Sequence, residues 1–332
     1  MWIRWTILAF AAALVACSGV VPTADGGAPE IEWAIAIHGG AGTIPRTIPE
    51  QRKLALRASL EEALRIGRSV LESDGTSLDA VEQVIRFLED DPQFNAGKGA
   101  VFNHEGQHEL DASIMDGSNL ACGAVAGVKT VKNPIGLARL VMERTRHVLL
   151  AGDGADRFAT EQGVEQVDQE YFFTQRRYDR LQRILEEEEQ KGEVQGRGGG
   201  TVGAVALDTH GNLAAGTSTG GLTNKMYGRV GDSPIVGAGT YARNGACAVS
   251  ATGTGEEFIR HGVARSVSAL MEYGDTTLDQ AAHRLIHETL RPGDGGIIAV
   301  GQDGTIVMEF NSSTMARGAA DSSGRFEIAI WR

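Results

Sequence analysis

Basic residues are scarce in this chain of 332 residues, which has 31 lysines and arginines against 43 aspartates and glutamates. The formal net charge is −12. Because nucleic-acid binding needs a basic face that neutralises phosphates, the composition excludes DNA or RNA as the expected partner. One local run of positive charge, R-R-Y-D-R-L-Q-R, has a spacing typical of a solvated helix face. We therefore expect its four arginines to face solvent (Arg176, Arg177, Arg180 and Arg183).

Cysteine is also rare, with three residues in the chain. Cys122 and Cys247 each lie in a short apolar run, A-C-G-A-V-A-G-V and A-C-A-V-S, where a free thiol packs as a small hydrophobe. A disulfide between them is the alternative, because sequence does not reveal proximity. No cysteines and histidines have the spacing of zinc ligands, so a zinc site is not expected.

Long hydrophobic runs are missing as well, and the apolar segment Trp5–Ala16 is too short to span a bilayer as a helix. It follows the basic Arg4 and ends in L-V-A-C, a pattern typical of an export signal over residues 1–16. Because L-V-A-C resembles the bacterial lipobox, we predict lipidation at Cys17 and a location in the cell envelope or periplasm, with membrane attachment through lipid only. The alternative is an ordinary signal peptide in which this cysteine has no role. Residues 17–30, rich in glycine and proline, are predicted to form a flexible tether.

Nucleotide-binding fingerprints are absent too. A glycine-rich segment, H-G-G-A-G-T, runs from His38 to Thr43 after a predicted strand, but it lacks the Lys-Ser/Thr ending of a P-loop. It also lacks the complete dinucleotide fingerprint, so nucleotide binding is excluded as the expected function. We predict that His38 is a buried, hydrogen-bonded histidine that supports the site and does not act as a catalytic base.

Glycine, by contrast, is abundant, with 44 residues, and three of them precede a threonine in R-G-G-G-T-V-G-A-V-A-L-D. Gly198, Gly199 and Gly200 give a flexible backbone, and Thr201 opens an apolar run that ends at Leu207. Taken alone, this pattern indicates only a loop that leads into a buried strand. With 42% hydrophobic and 22% charged residues, the chain is typical of a globular enzyme with many tight turns.

Three downstream motifs give Thr201 a functional meaning: S-T-G-G from Ser218, G-R-V-G-D-S-P from Gly228 and A-T-G-T-G-E from Ala251. Together with Thr201 they resemble the N-terminal-nucleophile hydrolases of the plant-type asparaginase and isoaspartyl peptidase family. The resemblance covers nearly all of residues 32–332. It implies a four-layer αββα sandwich, in which two stacked sheets lie between helical layers and two chains share one core.

The chemistry of threonine explains why this residue type is needed at position 201. A threonine hydroxyl needs a base near neutral pH, and a threonine that begins a chain can use its own α-amine, whose pKa is about 8. Thr201 is internal, so in the family its hydroxyl first attacks the preceding carbonyl and breaks the bond from Gly200. Glycine before that bond tolerates the strained backbone that the attack requires. The resemblance therefore implies an α-chain of residues 31–200 and a β-chain of residues 201–332.

The resemblance also assigns the other catalytic groups. Thr219 is expected to hydrogen-bond the Thr201 hydroxyl, and the Thr252 hydroxyl and the Gly253 N–H are expected to form an oxyanion hole. Asn95 matches the asparagine of the family's F-N-A-G loop. From the residues alone, two alternatives stay open: Thr219 satisfies backbone groups at a strand end, and the T-G-T segment caps a helix.

Substrate binding is expected in two glycine-rich segments (Arg229, Val230, Gly231 and Asp232; Thr252, Gly253, Thr254 and Gly255). A guanidinium fork suits an α-carboxylate and a carboxylate suits an α-ammonium, so Arg229 and Asp232 would hold an amino-acid head group. A local salt bridge between the two is the alternative. The implied substrates are β-aspartyl dipeptides and L-asparagine, and the reaction requires no cofactor.

The resemblance carries two further expectations. A structural sodium or potassium ion would be held mainly by main-chain carbonyls of one loop (Leu88, Glu89, Asp91, Phe94, Ala96 and Lys98), where the lysine ammonium would compete with it. The αβ unit is expected to form a homodimer. Two alternative functions stay open: a glycosylasparaginase, whose usual acidic, histidine-containing approach to the nucleophile is replaced here by R-G-G-G, and a binding protein that keeps the fold without cleaving itself.

Hydrophobic periodicity predicts the elements around these motifs. Helices are predicted at 49–74, 77–88, 133–144, 153–163, 174–191, 256–274 and 277–290. Strands are predicted at 31–37, 108–115, 123–128, 147–152, 202–208, 212–219, 296–300 and 305–309. Ser77 is the predicted cap of the second helix. Residues 311–317, N-S-S-T-M-A-R, depart from the small-residue loop that is usual in the family at this place, so the substrate preference stays open.

Overall fold

Two β-sheets stacked face to face form the centre of the molecule, and helices cover both outer faces. The computed structural model describes Met1 and residues 31–42, 44–191 and 198–332. Ile31–Arg332 is one compact unit. The expected four-layer αββα sandwich is therefore confirmed. The predicted export signal and tether, including Cys17, lie outside the described residues apart from Met1.

The strands alternate with helices in the first half of the chain and dominate its end. The described strands are β1 Ala34–Gly42, β2 Leu110–Asp116, β3 Cys122–Val128, β4 Leu149–Ala151, β5 Val202–Leu207, β6 Leu213–Thr219, β7 Thr240–Ala242, β8 Cys247–Gly253, β9 Gly295–Gly301, β10 Ile306–Phe310, β11 Thr314–Asp321 and β12 Phe326–Trp331. The described α-helices are α1 Glu50–Glu72, α2 Ser77–Asp90, α3 Pro134–Arg144, α4 Gly152–Glu161, α5 Gln175–Lys191, α6 Gly255–His261, α7 Val263–Gly274 and α8 Leu278–His283. A short 3-10 helix spans Gln169–Phe172, and a π-helical segment, Arg284–Thr289, continues α8.

The larger sheet has the strand order β12-β11-β1-β5-β6-β2-β3-β4, and the smaller one has the order β10-β9-β8-β7. Neighbouring strands are antiparallel except for β3 and β4. Since β1, β5 and β6 lie in the middle of the larger sheet, they are covered by helices on one side and by β8 and β9 on the other. β5 and β6, which carry the chain from Thr201 to Thr219, are therefore buried along their whole length.

Side chains of the central strands alternate between two cores, as expected for strands buried on both faces. In β1, Ile35 and Ile37 belong to the core beneath α1 and α2, whereas Ala34 and Ala36 belong to the core between the sheets. β5 alternates in the same way. The small alanines on the inner face allow the two sheets to approach closely.

The cap of helix α2 lies one residue before its predicted position. Thr76 is the cap, because its Oγ1 accepts a hydrogen bond from the Asp79 N–H at 3.1 Å. The predicted cap, Ser77, is the first helical residue, and its N–H donates to Asp208 Oδ2 at 2.8 Å. The helix is thus tied to the end of β5, beside which it packs.

Two strands at the end of the chain were not predicted, namely β11 and β12. β11 has the sequence T-M-A-R-G-A-A-D, in which alanine, glycine and aspartate have low strand propensity. It is a strand because it pairs with β1 on one side and with β12 on the other. The segment 311–317, which the resemblance compared with a loop of the family, is therefore part of a strand from Thr314 onward, since tertiary pairing overrides local propensity there.

Both cysteines of the folded unit have free thiols, Cys247 in the interior and Cys122 partly buried. This confirms the preferred interpretation over a disulfide. In the described part of the chain, no helix combines the length and apolar character needed to cross a membrane.

Candidate active site

Thr201 lies where the glycine-rich segment joins the larger sheet. It immediately precedes β5, and β5 pairs antiparallel with β6, so the start of one strand lies beside the end of the other. Thr219, the last residue of β6, is thereby brought to Thr201. The Thr201 Oγ1 donates a hydrogen bond to Thr219 Oγ1 at 3.1 Å, and both residues are buried.

The carbonyl oxygen of Gly200 accepts two hydrogen bonds. Asn95 Nδ2 donates to it at 2.7 Å, and Thr219 Oγ1 donates to it at 3.1 Å. Gly200 itself has φ of +87°, in the left-handed region that side-chain-bearing residues avoid. The Gly200–Thr201 peptide bond thus combines a polarised carbonyl, a neighbouring buried hydroxyl and a backbone conformation suited to glycine.

Asn95 is fixed in one orientation by its surroundings. Its Oδ1 accepts a hydrogen bond from the Val101 N–H at 2.8 Å, so the other end of the amide must be the donor. Nδ2 then donates to Gly221 O at 2.8 Å as well as to Gly200 O. Asn95 therefore connects the loop after α2 to the residue before Thr201 and to the segment that follows β6.

His38 is the predicted buried histidine, and this prediction is confirmed. Its Nδ1 lies 3.0 Å from Thr201 O and its Nε2 lies 3.0 Å from Ser250 Oγ. A carbonyl can only accept, so Nδ1 carries the proton and Nε2 accepts from the serine hydroxyl. Gly203 makes room for this contact, since a Cβ there would lie 2.4 Å from Nε2. His38, in β1 beside β5, therefore links the backbone of Thr201 to Ser250 in β8 of the smaller sheet.

Because His38 is buried, its pKa falls from 6.5 to about 4. Between these two pH values the unfolded chain binds one proton more than the folded chain, so the free energy of unfolding falls as the pH is lowered through this window. Relative to pH 7, the contribution of His38 lowers the free energy of unfolding by about 3 kcal/mol at pH 4. The free energy of unfolding can be measured by urea titration at pH 7, 5.5 and 4. We expect His38→Gln to be less stable at pH 7 than the protein that keeps His38. Between pH 7 and pH 4, however, its free energy of unfolding should decrease clearly less.

Both proteins in this comparison should carry Thr201→Ala, which keeps the chain in one piece. Burial raises the pKa of Glu89 to about 8 and that of Asp232 to about 7, but these groups are present in both proteins and cancel in the difference. Equal decreases with falling pH in both proteins would show that His38 is protonated in the folded state.

The groups that hold the Gly200 carbonyl, Asn95 and Thr219, are not the predicted oxyanion-hole residues. Thr252 is buried in β8, and its Oγ1 accepts a hydrogen bond from the Ala41 N–H at 3.0 Å. Gly40, the residue before Ala41, approaches Thr201 so closely that a Cβ on Gly40 would lie 3.0 Å from the Thr201 nitrogen. Thr252 therefore reaches the site through the Gly40–Ala41 turn, and its hydroxyl proton is not used in that contact.

Arg229 pairs with Glu256 rather than with Asp232. Its Nε and Nη2 donate to the two carboxylate oxygens of Glu256, each at 2.9 Å. Asp232 is nevertheless close, because a Cβ on Gly255 would lie 2.9 Å from Asp232 Oδ1 and 3.0 Å from Arg229 Nη2. The predicted residues converge at Gly255, but the local Arg229–Asp232 salt bridge is not formed. Glu256, which ends the A-T-G-T-G-E motif, is the partner that the sequence interpretation missed.

Three further buried charged residues lie beside this group and were also missed. Lys225 Nζ donates to Glu109 O at 2.9 Å and lies 3.9 Å from Glu109 Oε2. Asp111 accepts from the Gly127 N–H at 2.8 Å, and burial raises its pKa although the Lys225 charge opposes the shift. Asp111 carries no local sequence signal for this position, because the pairing of β2 with β6 brings it opposite Thr219.

The predicted cation loop is wound tightly after α2. The Glu89 carbonyl accepts a hydrogen bond from the Lys98 N–H at 2.7 Å, and the Asp91 carbonyl accepts from the Phe94 N–H at 3.3 Å. The Lys98 ammonium lies 5.3 Å from the ring centre of Tyr171. Since each carbonyl oxygen has a second lone pair, these contacts are compatible with a cation held by main-chain oxygens.

One group of possible metal ligands does occur among the described residues, contrary to expectation. His283 and His287, four residues apart, lie with Glu309 so that one ligand atom of each is within 4.8 Å of the others. His287 Nε2 is 2.7 Å from Glu309 Oε2. The H-x-x-x-H spacing was a usable signal for this group, whose residues are not among those that contact Thr201.

The helix with the run of arginines differs from its prediction. Arg177 is 5% exposed, and its Nε donates to Gly99 O at 2.8 Å. The side chain lies beneath the glycine-rich segment instead of on a solvated face. The prediction that all four arginines face solvent is therefore wrong for Arg177, because the segment before Thr201 folds over it.

Comparison with known proteins identifies the family. A family model described as asparaginase matches residues 31–330. The chain belongs to this asparaginase family. An asparaginase-family relative from Salmonella typhimurium, named isoaspartyl peptidase, is 49% identical over 292 residues, which are 85% of this chain and 93% of that protein. The Escherichia coli protein of the same name is 48% identical over 295 residues, 85% and 91% of the two chains. The Mus musculus protein, named isoaspartyl peptidase/L-asparaginase, is 42% identical over 302 residues, 91% of each chain.

The same comparison corrects the predicted location. The asparaginase-family region begins at residue 31, so the L-V-A-C pattern at Cys17 lies outside it. Relatives of bacterial and animal origin match most of the chain. A lipobox is a bacterial signal, and membership of so widespread a family gives it no support. The prediction of an envelope or periplasmic lipoprotein is contradicted and is withdrawn.

Proposed function

We propose that this chain is an isoaspartyl peptidase and L-asparaginase that is activated by cutting its own Gly200–Thr201 bond. The observation that carries the proposal is the hydrogen-bond sequence from Thr201 Oγ1 to Thr219 Oγ1 and from there to the Gly200 carbonyl. The names of its relatives support the same activity, and nothing favours a glycosylasparaginase.

Self-cleavage begins when Thr201 Oγ1 attacks the carbonyl carbon of Gly200. The hydroxyl proton passes to Thr219 Oγ1, whose own proton points to the carbonyl oxygen, where negative charge develops. Asn95 donates a second hydrogen bond to that oxygen. The C–N bond then breaks, and the nitrogen takes up a proton to become the α-amine of Thr201. Water hydrolyses the resulting ester, which leaves a carboxylate on Gly200 and restores the threonine hydroxyl.

In the mature enzyme, the new α-amine of Thr201 takes the hydroxyl proton while Oγ1 attacks the side-chain carbonyl of a β-aspartyl group. The Thr252 hydroxyl and the Gly253 N–H stabilise the oxyanion, a role that fits a Thr252 proton left unused in the contact with Ala41. Ammonia or an amino acid leaves, a β-aspartyl ester remains on the threonine, and water releases aspartate. No step uses a cofactor.

The head group of the substrate binds at Arg229 and Asp232. Arg229 already holds one carboxylate in a bidentate pair, that of Glu256, and a substrate α-carboxylate of the same geometry exchanges with it. Asp232 Oδ2 has no hydrogen-bond partner among the described residues, although the atom is buried. A substrate α-ammonium supplies the missing partner.

Arg229→Lys removes the fork but keeps the charge, and we expect KM for L-asparagine to rise about 10- to 100-fold, as when a charge-assisted hydrogen bond is lost. Glu256→Gln is the matched control, because it removes the competing charge while the fork remains. For that variant we expect KM to stay within about threefold of the wild-type value or to fall. Steady-state kinetics on cleaved protein check both. An equal increase in both variants would mean that Arg229 and Glu256 form a structural ion pair only.

The activity itself is tested by adding β-aspartyl-leucine, L-asparagine and an N-linked glycosylasparagine in parallel to the cleaved protein. We expect aspartate from the first two substrates at rates well above that from the third. Preferred hydrolysis of glycosylasparagine would replace the proposed substrate class. Absence of aspartate from all three, in a folded protein, would favour a binding protein.

Two properties of the assembled enzyme belong to the same proposal. The loop from Leu88 to Lys98 holds one sodium or potassium ion through its main-chain carbonyls, and elemental analysis of dialysed protein should find close to one ion per αβ unit. An ion content that chelation and dialysis reduce to zero without loss of structure would contradict it. Two αβ units form a homodimer, so light scattering should give about twice the mass of one unit.

A further inference from the structure

The cluster of His283, His287 and Glu309 lies where the end of α8 and the π-helical segment pack against β10. His283 and His287 are four residues apart, so one helical turn places both rings on the same side. The ring centres are 4.7 Å apart, and the ring planes are inclined by 34°. One ligand atom of each histidine and one carboxylate oxygen of Glu309 lie within 4.8 Å of one another. Both imidazoles therefore stand beside the same carboxylate.

The pairing of the smaller sheet places Glu309 on the face that is turned away from the larger sheet. Glu309 lies opposite Ile297 in β9, and Ile297 lies opposite Ala251 in β8. Residues opposite each other in antiparallel strands project from the same face, whereas successive residues of one strand project from opposite faces. Thr252 projects toward the larger sheet, because its Oγ1 accepts a hydrogen bond from the Ala41 N–H. The cluster is therefore separate from the candidate active site.

The segment that carries His287 is a π-helix, a rare structure that is frequent at functional sites. Asn311 holds this segment, since its Nδ2 donates to Ile286 O at 2.6 Å and to Arg291 O at 3.0 Å. Asn311 lies two residues after Glu309. The same stretch of chain thus supplies one possible ligand and fixes the backbone that carries another, which keeps the two side chains in register.

Two imidazoles and one carboxylate form the donor set of zinc sites that have three protein ligands and a water. Tetrahedral Zn²⁺ with bonds of about 2.0–2.1 Å holds its ligand atoms about 3.3 Å apart. His287 Nε2 and Glu309 Oε2 form a hydrogen-bonded pair at 2.7 Å. These two atoms need to separate by only about 0.6 Å when an ion replaces the proton between them. The ligand atom of His283 needs to approach by at most about 1.5 Å, which a side-chain rotation provides.

The cluster is open to solvent, so an ion can enter and a water can complete its coordination. The side chains of His287 and Glu309 are 29% and 36% exposed, and His283 is exposed as well. The residues between the histidines, R-L-I, lack the glutamate of the H-E-x-x-H motif, which argues against a hydrolytic zinc centre. Mg²⁺ and Ca²⁺ prefer sites made of oxygen atoms only. The donor set therefore favours an ion that binds imidazole nitrogen.

We propose that His283, His287 and Glu309 bind one Zn²⁺ ion, which fastens the end of α8 and the π-helical segment to β10. The ion replaces the proton between His287 and Glu309, His283 supplies the third ligand and water supplies the fourth. We expect a Kd on the order of micromolar, weaker than in a buried structural zinc site, because the ligands are partly solvated. The proposal does not depend on self-cleavage, since none of the three ligands belongs to the site around Thr201.

Isothermal titration calorimetry of Zn²⁺ into metal-free protein without a histidine tag tests the proposal. We expect close to one tightly bound ion per αβ unit. His283→Gln, His287→Gln and Glu309→Gln should each raise the Kd at least about tenfold, because each removes one of three protein ligands. Since the ion binds the folded chain, Zn²⁺ should raise the Tm of the wild type and raise that of the variants much less. A Kd that the three substitutions leave unchanged would overturn the proposal.

His261→Gln is the matched control. His261 Nε2 lies 3.9 Å from Glu257 Oε2, four residues earlier on α6, so this pair also combines a histidine with a carboxylate. In the described part of the chain, no third ligand joins it. His261→Gln should bind Zn²⁺ as the wild type does. If it raises the Kd as much as His283→Gln, Zn²⁺ is held by scattered histidine–carboxylate pairs and the proposed site is wrong.

Co²⁺ gives a second readout, because four-coordinate Co²⁺ absorbs visible light much more strongly than six-coordinate Co²⁺. We expect a strong visible band with the wild type, its loss on addition of Zn²⁺, and a much weaker band with His283→Gln. Mg²⁺ in about tenfold excess over Zn²⁺ should not displace the zinc. Displacement by Mg²⁺ would mean that the acidic surface of a chain with net charge −12 binds divalent cations without the histidines, which would contradict the proposal.

Discussion

Thr201→Ala is expected to give a single uncleaved chain with no measurable release of aspartate. The substitution removes the hydroxyl that attacks Gly200, so neither the new α-amine nor the nucleophile of the mature enzyme is formed. Loss of a nucleophile lowers activity by about four orders of magnitude or more. Intact-mass spectra under denaturing conditions should show two fragments, split after Gly200, in the wild type and one chain in the variant.

Thr201→Ser is the control for this experiment, because it keeps the hydroxyl and loses only the methyl group. We expect the same two fragments at a rate several-fold lower, since the unbranched side chain holds its oxygen less firmly. A Thr201→Ala protein that is still cut after Gly200 would show that another group performs the cleavage. A wild type that remains whole after long incubation would show that no cleavage occurs.

Thr219→Val is the second substitution with a large expected effect. Thr219 Oγ1 accepts from Thr201 Oγ1, donates to Gly200 O and accepts from the Gly221 N–H at 3.0 Å. Valine has the same shape but performs none of these functions. Loss of the proton transfer should slow self-cleavage about 10²- to 10⁴-fold. The buried N–H left without a partner should also lower the free energy of unfolding by about 1–3 kcal/mol.

Timed mass spectra after refolding measure the first effect, and urea unfolding in the Thr201→Ala background measures the second. Thr219→Ser should cleave at nearly the wild-type rate, because it restores the hydroxyl. Thr223→Val controls for the loss of a buried threonine hydroxyl, since Thr223 Oγ1 has no hydrogen-bond partner among the described residues. A folded Thr219→Val protein that matures at the wild-type rate would remove Thr219 from the mechanism.

Most helices and strands could be predicted from the sequence, because the hydrophobic periodicity that indicates them is a local property of the chain. The alternation of β1 and β5 and the periodicity of α2 follow from which side chains must be buried. β11 was missed because its alanines and glycine give no such signal and its pairing with β1 joins residues almost 300 positions apart. The cap of α2 was misplaced by one residue, since Thr76 and Ser77 are equally good capping types.

The sequence predicted the residues of the site to a similar extent: those that lie close together along the chain were predicted, and contacts between distant segments were not. Thr201 and Thr219 are linked by a hairpin of predictable register, so their proximity follows from β5 and β6 alone. The contact of Asn95 with Gly200 spans 105 positions; the family resemblance named Asn95 as a site residue but did not predict this contact. The roles of Glu256 as the partner of Arg229, and of Arg177 beneath the glycine-rich segment, had no local signal.

The sequence by itself determined the type of chemistry and the family, because a threonine after three glycines, followed by three glycine-rich motifs, is a local and specific pattern. Only the tertiary structure decided which groups hold the Gly200 carbonyl and which carboxylate occupies Arg229. Side-chain periodicity specifies which face of an element is buried, whereas the partners across that face depend on how distant elements pack. Charged and hydrogen-bonded contacts of this kind are therefore fixed by the fold as a whole.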